Sequence, residues 1–104
     1  MVTDGNNKAA SNIGIGRTAL DALTNADYNI AIGQNAAQSI TTGSQNIAIG
    51  FNALNSSVAA VYNTAIGQNA LKTSVSGGSN TALGWNALTT VTVSYTHLRA
   101  HETS

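Results

Sequence analysis

From Asn12 onward the order of polar, apolar and small residues recurs every 17 positions, without insertion or deletion, over five units. The units read NIGIGRTALDALTNADY, NIAIGQNAAQSITTGSQ, NIAIGFNALNSSVAAVY, NTAIGQNALKTSVSGGS and NTALGWNALTTVTVSYT. Asn12, Asn29, Asn46, Asn63 and Asn80 open them, and Gly16, Gly33, Gly50, Gly67 and Gly84 hold position five. Position four is always aliphatic: Ile15, Ile32, Ile49, Ile66 and Leu83. Position eight is always Ala, and position nine is Leu20, Ala37, Leu54, Leu71 and Leu88. A doubled period overlies the first. Odd units carry a bulky sixth residue (Arg17, Phe51, Trp85), whereas even units carry Gln34 and Gln68. The doubling marks either a 34-residue structural pair or the way the gene duplicated.

A helical repeat needs roughly 33 residues or more to hold two helices and their turns. Seventeen residues instead fit one coil of a β-solenoid, with two short strands and two turns. Asn-Ile-Ala-Ile-Gly favours a strand at its Ile positions and stops at a glycine that permits a tight corner. Alternation sends positions two and four to one face. We expect that aliphatic face to line the coil interior, and the small-residue face to admit close approach of another backbone. The Ala-Leu pair at positions eight and nine should close the interior from the opposite side. Stacked at the strand spacing of about 4.8 Å, the opening asparagines can hydrogen-bond along the axis as a ladder. Asn35, Asn52, Asn69 and Asn86, with Thr18 in their column, can form a second. A short helix in each GxNAL segment is the competing expectation, strongest at Arg17–Leu23. The sequence thus predicts an all-β solenoid over residues 12–92, with units starting at 12, 29, 46, 63 and 80. Its core is thin and its ends are bare, where terminal coils of such folds are normally capped. Homo-oligomerisation is therefore expected.

Composition removes most other functions. The 104 residues hold four Lys/Arg and four Asp/Glu, so charged residues are 8%, against about 25% in ordinary domains. With no Cys, disulfide frameworks and Cys-based zinc sites are excluded. A net charge of zero without a basic run argues against nucleic-acid binding. No apolar run approaches the ~18 residues of a membrane span. Residues 1–11 form a polar leader, expected to be disordered, without the apolar stretch of a secretory signal.

The recurring N-[IT]-A-[IL]-G-x-N-A-L resembles the NTAIGxxAL repeats of bacteriophage tail-fibre and tail-fibre-domain proteins. It is also similar to the shorter SVAIGxxA repeats in the heads of YadA-like trimeric autotransporter adhesins. The resemblance covers residues 12 to about 92. It implies a left-handed parallel β-roll, three chains about a common axis, and service as the shaft or head of a fibre. Such a fibre sits on a virion or a bacterial surface and faces host glycans or proteins. An ice-binding or other ligand-binding solenoid is the alternative, but Thr64 and Thr81 alone supply threonine at position two.

Val93–Thr103 reads VSYTHLRAHET, and it holds both histidines and the only glutamate of the chain. It resembles the translation of a transposase-type sequencing-library adapter, so residues 93–104 are expected to be a non-native tail. That disposes of His97, His101 and Glu102, whose spacing otherwise suits zinc on one helical face.

The remaining motifs yield to the repeat. Gly14-Ile15-Gly16-Arg17-Thr18-Ala19 matches a dinucleotide fingerprint variant, yet Gly14 and Gly16 both occupy repeat columns. Asp4, Asp21 and Asp27 are the only carboxylates before the tail, too few for paired acid–base work. Asn55-Ser56-Ser57 fits a glycosylation sequon, as expected by chance in so Asn- and Ser-rich a chain. No enzyme activity, cofactor or metal is expected. Phe51 and Trp85 share one column and suit either sugar stacking or packing between subunits.

Overall fold

The computed structural model describes residues 11–59, 61–74, 78–91 and 97–99. Among these residues there is no helix, and the fold is a parallel β-solenoid. Strands β1 (Ile13–Ile15), β2 (Ile30–Ile32), β3 (Ile47–Ile49), β4 (Thr64–Ile66) and β6 (Thr81–Leu83) stack side by side, one from each repeat. Each pairs with the next in parallel at an offset of 17, so Ala31 faces Ala48, then Ala65, then Ala82. On another side of the coil, β5 (Thr73–Ser74) pairs with β7 (Thr90–Val91). A last strand, β8 (His97–Arg99), pairs with β6 at an offset of 16. Main-chain pairing makes little demand on side-chain identity at an open sheet edge. The break in period begins where the repeat ends.

Hydrogen bonds join neighbouring coils around the perimeter, most of them between positions one apart in the repeat. The N–H of Gly33 donates to the carbonyl of Ile15 at 2.7 Å, and that of Leu54 to Ala70 at 2.9 Å. Ser39 donates to Asn55 at 3.1 Å on the far side. The coil is thus bonded along its axis, which is why short strands of three residues suffice.

The segment expected as a possible helix is a chain of tight turns. Ala19, Asp21 and Leu23 each donate three residues back, to Gly16, Thr18 and Leu20. Thr18 and Leu20 have φ of 59° and 55°, and the same two positions are left-handed in every coil. An alternately left-handed backbone cannot continue an α-helix.

The assignment of faces on the main strands is reversed from the sequence expectation. Ala31, Ala48, Ala65 and Ala82 are fully buried, while Ile15 and Leu83 are each 52% exposed. Ile66 is also exposed, and Ile32 and Ile49 are half-buried. The position-four column is therefore a correction: it lines the outside, not the core. The reason is the width of the coil. Leu20, Leu54, Leu71 and Leu88 cross from the opposite side and are buried, leaving room on the strand for only a methyl group. The core is a row of alanines from positions three and eight with these leucines between them, joined by Ala37 and Ile40.

Candidate functional site

The inward face of each strand begins with asparagine, because positions one and three share a face. Asn29, Asn46, Asn63 and Asn80 are essentially fully buried, and Asn12 nearly so. The Oδ1 atoms of Asn12, Asn29, Asn46 and Asn63 each serve the next coil twice. Asn29 Oδ1 accepts from the backbone N–H and the Nδ2 of Asn46, both at 3.0 Å. Asn46 Oδ1 does the same for Asn63, at 3.0 and 3.1 Å, and Asn63 for Asn80, at 3.1 Å each. Asn12 begins the series with Asn29 at 2.9 and 3.2 Å. The amides of Asn12 and Asn29 also bond near the close of their own coils: Asn12 Nδ2 to Ala26 O, and Asn29 Nδ2 to Gly43 O, both at 2.9 Å. Hydrogen bonds made this way offset the cost of taking the amides out of water.

The second asparagine column is half-buried and runs with its donors aimed the other way. The Thr18 hydroxyl donates to Asn35 Oδ1, Asn35 Nδ2 to Asn52 Oδ1 at 3.1 Å, and Asn69 Nδ2 to Asn86 Oδ1 at 3.0 Å. The column is interrupted between Asn52 and Asn69, where Asn69 Oδ1 is buried and accepts no bond.

Between strand and turn stands the glycine column. Gly33 has φ of +127°, and a Cβ built there would lie 2.8 Å from the carbonyl carbon and oxygen of Gly50. Gly50 repeats the situation against Gly67 at 2.7 Å. Gly16, Gly67 and Gly84 share the conformation, with φ from 123° to 132°. Glycine is required here twice over, for its backbone angle and for the approach of the neighbouring coil.

The outside of the same sheet is mostly aliphatic, with Thr64 and Thr81 among the outward residues. Ile13, Ile15, Ile66 and Leu83 are exposed, as are Tyr28 and Tyr62 at the ends of the first and third units. Sequence reasoning missed this surface. The signal was present in the alternation: once Asn belongs to an interior ladder, the Ile columns must lie outside. Beyond the glycine corner, Phe51 and Trp85 are exposed as well.

No protein-family model, curated protein or solved structure matches this chain. The residues alone carry the functional argument.

The lesser motifs have structural explanations. Gly14 is a buried strand residue in the alanine column, and the turn after Gly16 offers no helix N-terminus to a phosphate. Asn55 Nδ2 donates to Asn35 O and Gln38 Oε1, both at 3.1 Å, and Ser57 is fully buried. That sequon lies within the coil packing. Asp21 is exposed, and no cluster of three metal-ligating side chains occurs among the described residues. No helix there is long and apolar enough to cross a membrane. Residues 1–10, and His101 and Glu102 of the tail pair, lie outside the described residues.

Proposed function

We propose that this chain is a structural and adhesive fibre segment, the shaft or head of a phage tail fibre or trimeric surface adhesin. It presents a repetitive surface to host cells and performs no catalysis. The observation that carries the reading is the outward aliphatic sheet of Ile13, Ile15, Ile66 and Leu83, with Tyr28 and Tyr62 also exposed. Contiguous exposed apolar patches of several hundred Å² mark interaction surfaces on soluble proteins. A parallel sheet with an aliphatic residue at position four of every coil suits copies aligned along one axis. Three chains packed sheet to sheet would bury the isoleucines in a shared core and leave the turns outside.

Sedimentation velocity on the full chain tests this. A trimer is expected, and Ile32→Lys combined with Ile49→Lys should dissociate or unfold it, because a charge would then lie in the shared core. A stably folded monomer of the unaltered chain would refute the assembly. So would a trimer indifferent to the two lysines.

A further inference from the structure

Position six of the repeat stands just past the glycine corner and carries, in order, Arg17, Gln34, Phe51, Gln68 and Trp85. All five residues are exposed, Phe51 at 42% and Trp85 at 64%. Their backbone is fixed by an unbroken series of bonds. The carbonyls of Arg17, Gln34, Phe51 and Gln68 accept the N–H groups of Asn35, Asn52, Asn69 and Asn86 at 2.9 to 3.0 Å. The five side chains therefore leave a rigid edge, one per strand spacing. Phe51 and Trp85 are two steps apart, about 10 Å.

The doubled period of the sequence here becomes a spatial one. Large side chains recur at alternate steps, and an amide that can both donate and accept lies between them. An aromatic face stacks on the C–H face of a pyranose, and amides bind its hydroxyls. In a β-1,4-linked hexopyranose chain each ring is turned over relative to the last. The same ring face returns after two sugars, over very nearly the distance from Phe51 to Trp85. Charge narrows the ligand further. Arg17 is the only charged group of the column and the chain has zero net charge, which fits a neutral polymer better than a polyanion.

We propose that the column Arg17–Gln34–Phe51–Gln68–Trp85 is a binding rail for a neutral β-1,4-linked glycan lying along the solenoid axis. Phe51 and Trp85 stack on alternate sugars, and Gln68 binds the hydroxyls of the sugar between them. The rail deepens the attachment role proposed above, and rests on it only for the location of the glycan on a host surface.

The test uses the full chain, with cellohexaose and chitohexaose as probes and maltohexaose as the α-linked control. Trp85 is the only tryptophan, so its fluorescence reports occupancy directly, and calorimetry gives the affinity. A saturable blue shift with at least one β-linked hexamer is expected, and none with maltohexaose. Phe51→Ala and Trp85→Ala should each weaken binding by roughly tenfold, the loss of one stacking contact, with sedimentation unchanged. The rail is overturned by no saturable response to either β-linked hexamer, by an equal response to maltohexaose, or by unaltered affinity in both variants. It is also overturned if Trp85→Ala dissociates the assembly, since the column would then pack between copies. A monomer that binds the hexamers would refute the trimer and support the rail. A trimer that binds neither would do the reverse.

Discussion

Replacing Asn46 by alanine should be among the most damaging changes available to this chain. Asn46 Oδ1 accepts the backbone N–H and an amide proton of Asn63, and its Nδ2 donates to Asn29 Oδ1 and Ser44 O at 3.0 and 3.3 Å. Alanine leaves two donors of Asn63 without these acceptors, in a residue that is 1% exposed. Each buried polar group left unsatisfied costs about 1–3 kcal/mol. Readmission of a water molecule into the vacated space recovers part of that. The expected net loss is about 3 kcal/mol. A folded unit of roughly 80 residues has a total stability of about 4–12 kcal/mol, so the loss is a large share. Asn52→Ala is the internal control. Its amide is half-buried and accepts from Asn35 Nδ2 at 3.1 Å, so solvent can replace the bond and the cost should stay below about 1 kcal/mol. Urea denaturation followed by circular dichroism measures both, at one fixed protomer concentration because assembly would couple to stability. Equal losses in the two variants, or less than about 1 kcal/mol for Asn46→Ala, would refute the claim that the inner ladder holds the coils together.

Three further changes probe other parts of the coil. Gly50→Ala places a Cβ 2.7 Å from the Gly67 carbonyl at φ +131°, and should cost at least about 3 kcal/mol by the combined clash and backbone strain, read as a lowered urea midpoint. Gln45 is exposed at φ 61°. Gln45→Val should therefore lose roughly 1–2 kcal/mol while Gln45→Asn loses nothing, since β-branched residues resist the left-handed region and asparagine tolerates it. Thermal denaturation of the pair separates this from any side-chain contact. The outer columns carry isoleucine where a regular threonine array would be needed, so no thermal hysteresis is expected in an ice-growth assay.

The period, the parallel stacking and the glycine corners were legible because each depends on a residue type recurring in register. Gly33 and Gly50 announce a backbone conformation that other residues resist, and no tertiary knowledge is needed to read it. The direction of the strand faces was not legible from hydrophobicity, which ranks Ile above Ala for burial. The cross-section decided against that rank: Leu54 reaching across the coil leaves space for Ala48 and none for Ile49. Polar satisfaction was the better guide, since Asn46 and Ala48 must share a face. The left-handed residues at Tyr28, Gln45 and Tyr62 leave no mark in composition. Their geometry is imposed by the closing of the coil, with Gln45 N–H bonded to Asp27 O at 2.9 Å and Tyr62 N–H to Ser44 O at 3.2 Å. The aromatic edge was visible as a column, but its exposure was not.

The opposed sense of the two asparagine columns bears on how long such a rod can be. In the inner column the amides of Asn29, Asn46, Asn63 and Asn80 donate toward the N-terminal coil, and in the outer one those of Asn35 and Asn69 donate toward the C-terminal coil. Each column is a file of aligned dipoles, and a single file would build partial charges at its two ends as an α-helix does. Here the files oppose one another. The two bonded pairs of the outer file, Asn35–Asn52 and Asn69–Asn86, offset part of the inner one, so elongation accumulates less axial polarisation than a single file would. The partial cancellation relaxes the electrostatic limit on the number of coils, and leaves more of the rod's length to the gene.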